Sequence, residues 1–225
     1  LHIGTPVIEG KKFILTQWFR TFGSGPMVCQ HPQEAIQSFT PSGICKTKLD
    51  AKVLQPIVDY FRNNIEQEKI DEFVEGNFIV NSDEDVGSFL LPLPDTLTEP
   101  LINEIKSICA SWCRVELEHT AIYGIRIYRR GTLLQMHRDR PHTHIISAIL
   151  NVEQRVDKDW PLAIEDHQCR LHQEILEPGE LLLYEGARLP HGRPSALNGD
   201  YYANIFIHFK PKHWQLPDWI DEALN

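Results

Sequence analysis

The sequence predicts a mainly β fold of the α+β class, a sandwich or jelly roll supported by helices. Two observations predict it: helical spacing of apolar residues is confined to the stretch between Val53 and Cys113, and from Thr120 onward short β-rich runs follow one another, divided by Gly, Pro and Asp. A third concerns size. At 225 residues the chain exceeds the roughly 100–200 residues of one ordinary domain, which predicts a full domain plus an additional piece.

In order along the chain, residues 1–20 read as a strand-rich segment and residues 21–45 as a linker, because "TFGSGPMVCQHPQEAIQSFTPSG" mixes Gly, Ser and Pro without a sustained period. The main domain is expected over residues 46–225. Its first helix is signalled by Val53, Leu54, Ile57, Tyr60, Phe61 and Ile65, with Pro56 interrupting it near its start. The second lies in "TLTEPLINEIKSICASWC", where Thr96 and Glu99 have capping-box spacing and Leu101, Ile102, Ile105, Ile108 and Trp112 form an apolar stripe. Strands are expected in "AIYGIRIYRR", "THIISAILNV", "LAIEDH", "CRLHQEIL", "ELLLYEG" and "YYANIFIHF".

Composition narrows the function classes. A hydrophobic fraction of 42% and a charged fraction of 24% are those of a globular domain, and no apolar run approaches the ~20 residues of a membrane span. The formal net charge of −9 argues against nucleic acid as a partner. Five cysteines, Cys29, Cys45, Cys109, Cys113 and Cys169, lack disulfide-framework spacing, so a reducing compartment, the cytoplasm, is favoured. Cys109 and Cys113, four apart in a helix, read as buried thiols.

Chemistry concentrates in "QMHRDRPHTH". His137 and Asp139, two residues apart, share one face of an extended strand and can grip one metal ion. The third ligand is expected from His191 in "LPHGRP", which follows the apolar strand "EPGELLLYEG". Two His and one carboxylate form a facial triad with open positions, which suits non-haem Fe(II). His142 and His144 read either as additional ligands of a cupin-like zinc or manganese site or as outer-lying histidines, because Pro141 redirects the chain. His208 reads as they do.

On "YRRGTLLQMHRD", "HIISAILNV", "LEPGELLLYEGARLPHGRP" and "YYANIFIHF", the chain resembles the 2-oxoglutarate and Fe(II)-dependent dioxygenases, within them the prolyl 4-hydroxylase-like group, from about Phe78 to Lys212. The resemblance implies a double-stranded β-helix, a jelly roll with helices backing one sheet, and iron held by His137, Asp139 and His191. It implies Fe(II) as cofactor and 2-oxoglutarate as co-substrate, with ascorbate a candidate third. It further implies hydroxylation of a C–H bond of an amino acid, a peptidyl proline or a small molecule, releasing succinate and CO2. Tyr128 matches the tyrosine that helps hold 2-oxoglutarate, and Arg126 shares its strand face. The departure lies at the anchor: nine or ten residues after the second His the family carries Lys or Arg, and here stand Asp200 and Tyr201. Arg193 is the expected substitute if the strand stays extended past His191, with Arg126 in reserve. Pro194 ending that strand would instead send Arg193 to the rim. Asn204 reads as a pocket contact or as a satisfied core amide.

The resemblance also covers the first residues. Prolyl 4-hydroxylase-like domains close on His, Pro-Val, Gly, Lys and Trp in the order shown by His2, Pro6, Val7, Gly10, Lys12 and Trp18. Residues 1–20 are therefore expected to be the C-terminal remnant of an upstream catalytic domain, with no iron of their own because no HxD precedes them. Two other readings stay open: a cupin-like metal enzyme without 2-oxoglutarate, and a catalytically silent binding module of a tandem protein.

Overall fold

The structure is a computed structural model that describes residues 31–66, 70–71, 78–81 and 87–224, with residues 70–71 described by their backbone alone. Residues 1–20, read as a domain remnant, and the first part of the expected linker lie outside the described residues. The chain enters at a 3-10 turn, Pro32–Ala35, and continues into strand β1 (Ile44–Lys48) and helix α1 (Ala51–Asn64). The short strands β2 (Ile70–Asp71), β3 (Ile79–Asn81) and β4 (Ser88–Leu91) lead to helix α2 (Asp95–Cys113). Eight strands follow: β5 (Leu117–Arg129), β6 (Thr132–His137), β7 (Ile146–Val156), β8 (Leu162–Glu165), β9 (Leu171–Glu174), β10 (Glu180–Tyr184), β11 (His191–Arg193) and β12 (Gly199–Pro211). Helix α3 (Asp218–Leu224) closes the chain.

The strands build two antiparallel sheets. One has the order β1-β10-β7-β12-β5-β4-β2 and the other β3-β6-β11-β8-β9, and together they form the expected double-stranded β-helix. Strand period decides which side chains enter the barrel. On β12, Ala203, Ile205, Ile207 and Phe209 face the helices, whereas Tyr202 and Phe206 face the opposite sheet. On β10, Leu181 and Leu183 face the helices while Leu182 and Tyr184 point inward. Both faces of the larger sheet are thus covered, which is why its strands read as nearly unbroken apolar runs.

Helices α1 and α2 close the outer face of that sheet, burying Ile57, Val58 and Phe61 from the first and Leu101, Ile105, Cys109 and Cys113 from the second. Burial pushes the Cys109 thiol far up, as expected of an inert structural cysteine. Two local expectations are corrected. Helix α1 runs through Pro56 without a break, and Asp50 starts it by accepting a 2.7 Å bond from the Lys52 amide. Thr96 caps nothing: α2 begins at Asp95 after Pro94, with no side-chain cap bond, so Thr96 and Glu99 already lie inside the first turns. None of the described helices is long and apolar enough to cross a membrane.

One irregularity aims a side chain. The β5–β12 register slips between Ile205 and Ile207, opposite Gly124, whose φ is +95° and whose hydrogen lies where a Cβ would stand 2.6 Å from the Leu91 carbonyl oxygen. The bulge shifts strand parity, so Tyr123 joins Arg126 on the cavity wall.

Candidate metal centre in the barrel mouth

His137 ends β6 and His191 opens β11, and the two are direct partners across the antiparallel pair. Their rings lie 4.5 Å apart, flanked by Phe78 stacked on His137 at 4.6 Å and Tyr184 edge-on to His191 at 4.6 Å. Asp139 is not on the strand, which stops at His137; its amide instead donates 3.0 Å to the Gly186 carbonyl. The shared face expected of an extended HxD is therefore produced by a loop.

Asp139 Oδ1 lies 3.8 Å from His137 Nε2 and 3.6 Å from His191 Nε2, and one ligand atom from each residue falls within 4.8 Å of the others. The outer nitrogens are committed. His137 Nδ1 bonds the Gln135 carbonyl and His191 Nδ1 the Leu189 carbonyl, each at 2.8 Å. A carbonyl accepts only, so Nδ1 carries the proton and each Nε2 lone pair faces the gap. Burial, then the neighbouring charge of His191, lowers His137 to a pKa of about 4. Burial works to raise Asp139, but His191 and the other facing imidazoles hold its carboxyl well below the usual range. Two imidazole nitrogens and an ionised carboxylate on one point form a donor set that fits a divalent first-row metal.

The second carboxylate oxygen is also fixed. Ser147 Oγ donates 3.0 Å to Asp139 Oδ2 and lies 2.8 Å from His208 Nδ1. The hydroxyl's one proton goes to the carboxylate, so it accepts from His208. His208 stacks on His144 at 3.8 Å, and His144 Nε2 lies 3.1 Å from the Tyr123 hydroxyl. Both histidines line the cavity beside the triad. His142 points elsewhere, pairing with Asp221 on α3 at 3.0 Å. Gly186 completes the enclosure, because a Cβ there would stand 2.1 Å from Asp139 Oδ2.

The cavity holds about 340 Å³ and includes Arg126, whose guanidinium lies 4.8 Å over Phe206. Arg193, Tyr128 and Asn204 lie deeper in the barrel, outside that lining. Arg193 is 1% exposed and sandwiched between Trp160 at 4.6 Å and Tyr202 at 4.5 Å. Its Nη1 bonds the Trp160 carbonyl, and its Nη2 is buried without a hydrogen-bond partner. Among the described residues no carboxylate pairs with it. Tyr128 is fully buried edge-on to Trp160 at 5.1 Å. Asn204 Oδ1 accepts from Asn151 Nδ2 at 3.1 Å, while Asn204 Nδ2 finds no partner. Pro194 thus does not send Arg193 to the rim.

Sequence reasoning missed Ser147, Tyr184, Tyr123 and Gly186. The first two share strand faces with Ile149 and Leu182, a parity signal readable once the strands are known. Tyr123 depends on a bulge and Gly186 on a contact between distant loops, and neither leaves a local trace.

No protein-family model matches the sequence, and no curated protein matches it. Solved structures do. A prolyl-4-hydroxylase from Pseudomonas putida superposes with a TM-score of 0.59 at 15% identity, over 76% of this chain and 94% of that one. SnoN, a non-haem α-ketoglutarate-dependent epimerase from nogalamycin biosynthesis, gives 0.60 at 9% identity over 76% and 79%. A Trichoplax adhaerens prolyl hydroxylase, solved with a hypoxia inducible factor oxygen degradation domain peptide fragment, gives 0.54 at 13% over 75% and 84%. The chain has the double-stranded β-helix fold of the 2-oxoglutarate/Fe(II) oxygenases. Its His–Asp–His cluster stands in the mouth of that barrel.

Proposed function

We propose that the protein is an Fe(II)- and 2-oxoglutarate-dependent dioxygenase that hydroxylates a C–H bond of an amino acid, a peptidyl proline or a small molecule. The observation that carries this reading is the committed Nδ1 on each of two facing histidines, which leaves both Nε2 lone pairs and Asp139 Oδ1 aimed at one point. His137, Asp139 and His191 would hold the iron, which supplies the O2 chemistry that side chains cannot. The chain's residues orient and enclose. Ser147 and His208 hold the carboxylate, Phe78 and Tyr184 wall the imidazoles, and the cavity admits a small molecule or one side chain of a peptide.

For the distal carboxylate of 2-oxoglutarate, Arg193 is the proposed anchor. A guanidinium buried without a counter-ion is costly, and an incoming carboxylate reaching its open Nη2 removes that cost. Tyr128 would share the same end of the barrel. Arg126 is the second reading, favoured by one observation: it lines the cavity and Arg193 does not. Intrinsic fluorescence reports on the choice, because Trp160 lies against Arg193. In a 2-oxoglutarate titration of the metal-loaded protein, Arg193→Gln is expected to weaken binding by about 10-fold or more, with Arg126→Gln much milder. The reverse order assigns the anchor to Arg126, unchanged affinity in both excludes either arginine as the anchor, and a wild type that shows no binding removes the co-substrate from the proposal. Residues 1–20 are proposed as the tail of a preceding domain of the same kind, to be tested by purifying a form without them and measuring unchanged metal binding.

A further inference from the structure

We infer that the segment before the barrel, residues 31–40, is part of the metal centre, with Gln33 as the positioning residue for Asp139. The inference rests on the reading that His137, Asp139 and His191 hold a metal. Asp139 lies past the end of β6, where the sheet ladder no longer fixes its backbone. The loop carrying it must therefore be held from outside, since coordination demands placement to about half an ångström.

Gln33 does this from a buried position, 6% exposed. Its Nε2 donates 2.8 Å to the Asp139 carbonyl and 2.8 Å to the Ala187 carbonyl, using both of its protons. Those carbonyls belong to the two loops that carry ligands, one at Asp139 itself and one in the approach to His191. The same loops are joined by the Asp139 amide to the Gly186 carbonyl, so Gln33 closes a clamp around a pre-existing contact. Its neighbours repeat the pattern. Glu34 pairs with Arg138, the residue between the two β6-side ligands, at 2.8 Å, and both side chains are mostly buried. Arg138 Nε in turn donates 3.0 Å to the Arg188 carbonyl, and the Arg188 guanidinium bonds the Ile36 carbonyl. Further along, the Phe39 and Thr40 amides and the Thr40 hydroxyl all donate to Glu185 Oε1, beside Gly186. The segment is a brace across the two loops whose spacing sets the triad.

The test is a Co(II) titration of the whole chain, followed by the visible d–d bands, with a thermal melt of each metal-free variant. Gln33→Leu removes both donors at similar volume and is expected to weaken Co(II) by about 10- to 100-fold and to change the band shape. Gln33→Asn, one methylene shorter, is expected to give a smaller loss. Leu101→Ala is the control: this residue is 0% exposed in the main core on α2 and outside the brace, so its truncation lowers the melting temperature and leaves Co(II) binding alone. Wild-type Co(II) affinity in Gln33→Leu overturns the inference, and so does an equal loss in Leu101→Ala, which would mean the segment acts through stability only. Should Gln33→Leu fail to fold, Gln33→Asn decides alone, with weakened Co(II) supporting the inference and unchanged Co(II) overturning it. Wild-type protein that binds no Co(II) overturns the metal site itself, a failure distinct from either.

Discussion

Asp139 shows how much of the centre depends on single atoms. One oxygen faces two imidazoles and the other is held by Ser147, and the space for both exists because residue 186 has no side chain. Gly186→Ala is expected to displace the carboxylate and lower metal affinity at least 10-fold, read by Co(II) titration, while the circular dichroism stays native. Unaltered affinity would mean that the loop yields without cost. Asp139→Ala is expected to abolish metal binding outright. Protonation belongs to this scale as well. Burial first of all lowers His137 to about 4 and His208 to about 3 from an ordinary 6.5. Below 6.5 the unfolded chain therefore binds more protons than the folded one. The stability these groups support is whole above that value and drains away as the pH falls toward 4, with Asp139 adding its loss only below its ordinary 3.8. Melts of the metal-free protein should show a falling transition temperature from about pH 6.5 to pH 4.5; a flat profile would contradict the burial of these rings.

At the scale of elements, helix α2 is a cover whose seam is Leu101, Ile105, Cys109 and Cys113. Leu101→Ala is expected to cost about 2–5 kcal/mol, measured by denaturant unfolding, with metal affinity unchanged because the seam lies on the sheet face opposite the barrel. Strands β5, β7, β8, β9, β10 and β12 were legible as β-rich runs between sharp turns, β7 and β12 most plainly because burial on both faces makes them long apolar runs, whereas β6 and β11 were read only as the extended stretches around the ligands. Helices α1 and α2 were legible from their stripes, though not their first turns: Pro56 is tolerated on the exposed side of α1, and Pro94 sets the start of α2 in place of Thr96; the seven-residue α3 was not. The short strands β1, β3 and β4 were not legible, since three to five residues carry too little periodicity. Of the site, His137, Asp139 and His191 could be read from spacing and family resemblance. Gln33 could not, because a lone glutamine in Gly- and Pro-rich sequence acquires meaning only from a loop 106 residues away.

For the molecule as a whole, two packed sheets divide the labour. The larger is backed by α1 and α2, and the smaller supplies His137 and His191 from adjacent strands, so the metal point lines the cavity while the arginine two residues beyond His191 is buried behind that lining. The most direct test is an anaerobic titration with Fe(II) and then 2-oxoglutarate, watching for the visible charge-transfer absorption of a bidentate oxoacid on ferrous iron, with His137→Ala alongside. The proposed function predicts a band in the wild type and none in His137→Ala. Iron binding without the band would contradict it in favour of a metal enzyme that uses no 2-oxoglutarate, and no iron binding at all would leave the domain a silent module.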